Sequence, residues 1–191
     1  DREELESLTI NDELPKGFKY NQDETVKANP DYDITFDSTT NTMVAKAKAA
    51  TMNEINKDLT KGFTPKGIKV IGTFEDPATT YENVYHVTVV SKDTKDKPTS
   101  STYTNKVVNN TPEDPNPTKA VKTLDGQDIN GNKVVAGQQV VYDMTWDLDQ
   151  YKGIIVDANT IAKGFFFGDD FDETNLTTTD KDITITKSSD G

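Results

Sequence analysis

Apolar residues in this chain recur mostly at every second position, in short runs closed by turn residues, and that period confines the chain to half-buried β-strands. Leu8 and Ile10 alternate with Thr9 and Asn11 before a turn at Leu14-Pro15-Lys16-Gly17. Tyr32, Ile34 and Phe36 share one face, and Asp37-Ser38-Thr39-Thr40-Asn41 then turns the chain into a strand over 43–48. Residues 68–74, 84–91 and 102–108 read the same way. One helix is expected over 52–61, with Thr51 as its cap, Glu54 at the capping-box position, Met52, Ile55 and Leu59 as its stripe and Gly62 as its stop.

Pro112, Pro115 and Pro117 fall close together with no apolar residue between them to bury, the signature of a stiff, extended linker. A second strand set follows: 119–123, a turn at Asp125-Gly126, then 134–135, 140–146, 164–168 and 182–186, with one helical turn over 157–162. The division expected is one domain over 1–112, a Pro-rich linker over 113–118 and a second domain over 119–191. Many short strands with turn signals suggest an all-β fold with minor helix, arranged as immunoglobulin-like β-sandwiches in tandem. Apolar residues make up only 32 % of the 191, so the cores are thin.

A net charge of −12 leaves no basic stripe for phosphate, which argues against nucleic acid as a partner. The absence of cysteine removes disulfides, thiolate nucleophiles and Cys-based zinc sites. No apolar run is long enough to enter a membrane as a span. His86 is the single histidine, so triad and zinc schemes lack parts. Carboxylate pairs such as Asp147 with Asp149, Asp169 with Asp170, and Asp172 with Glu173 are what an acidic composition yields by chance, and no enzyme and no cofactor are expected. Asp125-Gly126-Gln127-Asp128-Ile129-Asn130-Gly131 superficially resembles a calcium loop, but its Gly and Glu positions miss the EF-hand register and a turn is the better reading. Calcium held by exposed carboxylates stays open, with no metal ligand assignable.

Several polar groups interrupt apolar strand faces. In Leu8-Ile10-Asp12 and in Phe165-Phe167-Asp169 an aspartate shares a face with two large apolar residues. Tyr103-Asn105-Val107 places an amide between apolar neighbours, and Lys119-Val121 puts a lysine on an apolar face. Buried, such groups are costly. Burial also pulls lysine towards the neutral amine and an aspartate towards the acid, so a neutral amine beside an asparagine carbonyl, with an acid to shuttle the proton, can form an amide and expel ammonia. Exposed strand ends are the alternative reading of the same residues.

The run Gly137-Gln138-Gln139-Val140-Val141-Tyr142-Asp143-Met144-Thr145-Trp146-Asp147-Leu148-Asp149-Gln150-Tyr151-Lys152-Gly153, with Ala162-Lys163-Gly164-Phe165-Phe166-Phe167-Gly168-Asp169-Asp170-Phe171, resembles the C-terminal repeat domains of the antigen I/II surface adhesins of streptococci and the related aggregation-substance adhesins of enterococci. The first half is similar in looser terms, through Leu8 to Phe18 and through Tyr103-Thr104-Asn105-Lys106-Val107-Val108-Asn109-Asn110-Thr111-Pro112. The resemblance implies variant immunoglobulin folds stacked as the stalk of a Gram-positive, cell-wall-anchored adhesin, extracellular and meeting host or bacterial surface receptors through the whole protein. It also implies autocatalytic Lys–Asn isopeptide bonds. On that pattern Lys119 takes the lysine role, with Lys122 as the alternative. Asn105 is the acceptor of the first domain, and Asp12 and Asp169 are the promoting carboxyls, with Asp170 a rival to the second.

Matched this way, Lys119 precedes Asp169 by a long stretch, while little chain precedes Asp12. The sequence is therefore expected to hold the later part of one repeat, its opening strands missing, and the opening part of the next, its closing strands missing. The runner-up function, from a different class, is a carbohydrate- or matrix-protein-binding module using aromatics such as Tyr151 and Phe171 near the Asp147/Asp149 loop.

Overall fold

A computed structural model describes residues 1–94, 98, 100–164 and 168–186. The fold is all-β with minor helix. In chain order its elements are β1 (Leu5–Glu13), β2 (Phe18–Tyr20), α1 (Gln22–Ala28), β3 (Tyr32–Asp37), β4 (Thr42–Ala47), α2 (Ala49–Asn56) and β5 (Gly72–Phe74). There follow β6 (Thr80–Asn83), β7 (Tyr85–Ser91), β8 (Ser100–Tyr103), β9 (Val107–Asn110), β10 (Thr118–Lys122), β11 (Val141–Thr145) and α3 (Ala158–Lys163). The main sheet is antiparallel, in the order β3-β4-β1-β7-β8, and three two-stranded sheets pair β2 with β5, β6 with β9 and β10 with β11. The chain divides into two compact units, Asp1–Tyr151 and Lys152–Gly191, and the Pro-rich stretch runs within the first.

Strand β1 is central, with β4 and β7 on its two sides. Its inward residues Leu8, Ile10 and Asp12 are buried in phase with the alternation, and Ile10 lies opposite Ala45 while Asp12 lies opposite Met43. Met52 and Ile55 of α2 complete a core with Leu14, Tyr32, Met43, Ala45 and Ala47. Gly17 closes the β1–β2 turn at φ +82°, and a Cβ there would lie 2.1 Å from an Asp76 carboxylate oxygen and 2.9 Å from the Tyr81 hydroxyl, so both backbone and space require glycine.

The expected helix over 52–61 is shifted. It begins at Ala49 after Lys48, which makes no side-chain cap; Thr51 lies inside it, its hydroxyl donating to the Asp31 carbonyl at 2.9 Å. It stops at Asn56 because the Asn56 amide pairs with the backbone of Leu5 in both directions, at 2.9 and 2.8 Å, and the Arg2 guanidinium takes the carbonyls of Ile55, Asp58 and Lys61. Side chains thus satisfy the carbonyls that a longer helix would have used.

Helix α1 was not expected. Its cap is Asn21, whose side chain accepts from the Glu24 N–H at 3.1 Å, but it buries only Thr25 and so carries no apolar stripe to reveal it. It explains a second correction, since the strand expected over 68–74 survives only as β5. The Asn29 amide donates to the Lys69 carbonyl at 2.7 Å and accepts from the Lys69 N–H at 2.8 Å, and the Thr25 hydroxyl accepts from the Ile71 N–H at 3.1 Å. Backbone groups of 69–71 are held by side chains of and beside α1 and by the Asn21 N–H, which donates to the Ile71 carbonyl at 2.9 Å, rather than by a neighbouring strand.

The strand expected over 102–108 divides at 104–106, with β8 joining the main sheet and β9 pairing with β6. Likewise β6 and β7 are separated only by Val84. Residues 134–135 form no strand; Val135 accepts from the Gln138 N–H at 3.0 Å in a turn. The stretch 182–186 starts in a 3-10 turn, Asp180–Asp182, closed by reciprocal Thr179 and Asp182 bonds, and continues without strand pairing. The strand expected over 164–168 falls mostly on residues outside those described.

Candidate functional site around Asp12

Alternation along β1 carries Asp12 inward, and the structure buries it to 2 % exposure. Its Oδ2 accepts from the Asn83 amide nitrogen at 3.2 Å. Two further oxygens at this pair, Asp12 Oδ1 and Asn83 Oδ1, are buried with no hydrogen-bond partner. Such orphaned acceptors are rare and costly. Burial pushes the Asp12 carboxyl above its ordinary value of 3.8, opposed by the Asn83 hydrogen bond. Across the sheet, Asp12 faces Met43 on β4 and Tyr85 on β7. A cleft of about 460 Å³ borders the pair, lined by Asn83 with Glu13, Lys16, Glu82, His86 and Tyr103 among others. His86 stacks on Tyr103 with ring centroids 4.8 Å apart, and its Nε2 lies 2.6 Å from the Ser101 hydroxyl, a surface role.

Asn105 is exposed, in the link between β8 and β9. Because the strand breaks there, Tyr103 and Val107 belong to different sheets and do not flank Asn105 on one apolar face. Thr104 anchors the link: its N–H donates to the Tyr85 carbonyl at 2.9 Å, and its hydroxyl accepts from the Tyr85 N–H at 3.2 Å.

In the β10–β11 hairpin, Lys119 is exposed with its ammonium 4.4 Å from the centroid of the Tyr142 ring, a cation–π contact. Lys122 donates to Asp143 at 2.6 Å, and that carboxylate holds its ammonium above the usual lysine range. Asp169 and Asp170, in the second unit, are exposed, and Tyr151 and Phe171 are each half-buried. Among the described residues no three His, Asp or Glu side chains gather as a metal site, and no helix is long and apolar enough to cross a membrane.

Beyond residue 116, the hairpin and the turns that follow carry the long Trp146-Asp147-Leu148-Asp149-Gln150-Tyr151 run on which the resemblance rests. Residues 117–191 match the cell surface antigen I/II C2 terminal domain. The chain is also 48 % identical over 88 residues to the aggregation substance of Enterococcus faecalis (strain ATCC 700802 / V583). That stretch is 46 % of this chain and 7 % of the relative, so the similarity spans a small part of the relative's length. The antigen I/II likeness supports a surface-adhesin-related role and a place at the cell surface.

Asn83 is the hydrogen-bond partner of Asp12 that sequence reasoning missed. Its signal was present: in Tyr81-Glu82-Asn83-Val84-Tyr85 the period of two puts an amide in phase with two aromatic residues, and Tyr81 is buried while Tyr85 packs against the core.

Proposed function

We propose that this chain is stalk from a Gram-positive, wall-anchored adhesin, in which two successive repeats meet at 113–118 and each is stiffened by a self-formed Lys–Asn isopeptide bond. The observation that carries the reading is Asp12, a carboxyl buried beside a carboxamide in a chain whose residues 117–191 match an antigen I/II domain. A thin core resists pulling poorly, and a covalent tie between strands removes that weakness as a disulfide would. The chemistry is a single turnover on the chain itself, needing no cofactor and no external substrate. Partners are host or bacterial surface receptors, met by the whole adhesin.

In the second repeat Lys119 supplies the amine and Asp169, or Asp170, the proton shuttle. Lys122 is less suited, because its salt bridge to Asp143 favours the charged form over the nucleophilic amine. The core supports a boundary at the Pro-rich stretch, since its residues all come from the chain before β8. The test is intact-mass measurement on a polypeptide that carries residues 119–191 extended through an entire repeat. The mass should fall short of the sequence mass by one ammonia, and Asp169→Ala should restore it while the domain stays folded. Full sequence mass in the unaltered repeat overturns the reading.

A further inference from the structure

We propose that Asn130 is a site of spontaneous self-modification: the backbone nitrogen of Gly131 attacks its carboxamide, ammonia leaves through a succinimide ring, and water converts the ring into aspartate or isoaspartate. The inference stands apart from the isopeptide reading. Asn130-Gly131 is the single Asn-Gly pair of the sequence, and Asn130 is exposed. The Ile129 carbonyl accepts from the Asn132 N–H at 3.0 Å and closes a turn with Asn130 and Gly131 at its centre. Gly131 has φ +74° while Asn130 does not have a positive φ, the pattern of a type II turn. Such a turn bonds its outer residues and leaves its central peptide unbonded. Among the described residues nothing accepts from the Gly131 N–H and nothing pairs with the Asn130 carboxamide, so nucleophile and electrophile are both unengaged. A Cβ placed on Gly131 would meet no atom within 4 Å, so the peptide has room to rotate towards the side chain. Asn130 itself is anchored from behind, its N–H donating to Asp128 Oδ1 at 2.8 Å.

Other amides and glycines lack this combination. Asn29, Asn41 and Asn56 spend their carboxamides on backbone carbonyls. In the neighbouring Asp125-Gly126 pair the Gly126 N–H donates to the Thr123 carbonyl at 3.0 Å, and the Asp125 carboxylate takes the Thr123 hydroxyl. At Gly131 the N–H gives its proton to solvent and the nitrogen adds to Asn130 Cγ. The N–Cγ bond forms, Nδ2 takes a proton from water, and the Cγ–Nδ2 bond breaks to release ammonia. Water then opens the ring. Opening at Cγ gives aspartate, and opening at the backbone carbonyl carbon gives isoaspartate, with the main chain running through the former side chain. No oxidant or reductant enters. Each product carries a negative charge where the amide had none, and isoaspartate adds a backbone carbon inside the turn that the Ile129–Asn132 bond closes.

The test is incubation of the protein in mildly alkaline buffer made with water enriched in heavy oxygen, followed by peptide mapping over time. The peptide carrying Asn130 should first lose ammonia and then gain water with one heavy oxygen, with isoaspartate among the products. Peptides carrying Asn29, Asn41 and Asn56 should lag behind it. Asn130→Gln should abolish the conversion, because the longer side chain cannot close the same ring, and Gly131→Ala should slow it by crowding the attacking nitrogen. An intact Asn130 amide after the bonded asparagines have begun to convert overturns the assignment. So does ammonia loss from this peptide that persists in Asn130→Gln, which would move the site to Asn132. The succinimide, like a Lys–Asn bond, is short of one ammonia, but it lies within one peptide and joins no second one, so failure here leaves the isopeptide reading standing and the converse holds too.

Discussion

Two strands with similar alternating sequences end up in different surroundings. β1 has β4 and β7 bonded to its edges and α2 packed on it, and every second side chain from Leu8 to Asp12 is buried. β10 has β11 on one edge, and among the described residues beyond 112 none reaches full burial. A period of two prepares a face, but burial needs a second layer to cover it. The chemical corollary is visible in the carboxyls, since Asp12 is buried while Asp169 and Asp170 are exposed.

Two methionines put this contrast to the sharpest test. Met43 is fully buried and Met144 is 41 % exposed. Met43→Ala should destabilise the protein by about 2–5 kcal/mol through lost burial and a cavity, whereas Met144→Ala should change stability by no more than about 0.5 kcal/mol. Denaturant unfolding of both variants measures the difference, and equal losses would break the comparison.

A smaller effect is expected at Asn29, which is buried and substitutes for a strand in holding Lys69. Asn29→Ala should cost about 1–3 kcal/mol by stranding buried backbone groups. Faster hydrogen exchange at Lys69 would localise the effect, and unchanged exchange there would contradict it.

The finest distinction is a slope with pH. The folded state holds the Asp12 proton to higher pH than the unfolded chain, so this group's contribution to stability declines as pH rises from about 3.9, the unfolded value, through the raised folded value. Asp37, Asp58 and Asp182, held low by hydrogen bonds from neighbouring threonines, act in the opposite sense over the acid range. Asp12→Asn keeps those and removes only the decline, so the stability difference between variant and parent should grow in the variant's favour as pH rises. A difference independent of pH would mean that folding leaves the affinity of Asp12 for its proton unchanged.

What the sequence foretold is what local periodicity governs: β1, β3, β4, β7, β10, β11 and the buried face carrying Asp12. It failed where side chains replaced backbone partners. Asn56 ends α2 early, and Asn29 with Thr25 displaces the first residues of the strand expected at 68–74; neither leaves a mark on apolar spacing. Asn105 was singled out because Tyr103 and Val107 flank it at period two, a pattern that presumes one continuous strand. The break at 104–106 removes that premise of one apolar face, and the same period in Tyr81-Glu82-Asn83-Val84-Tyr85 puts Asn83 in phase with two aromatic residues.

That break also bears on the order of folding. The segment from β6 to β9 is one hairpin shared by two sheets, closed near its middle by the reciprocal Tyr85 and Thr104 bonds. Its loop is short, while the pairing of β1 with β7 must close the much longer loop from Asp12 to Tyr85, and the entropy of closure favours the shorter loop. The hairpin is therefore the natural early structure, and on forming it sets β7 as a template for β1. Only when β1 docks on that template does Asp12 meet Asn83, so the buried acid–amide pair is assembled by a late long-range step rather than carried through collapse.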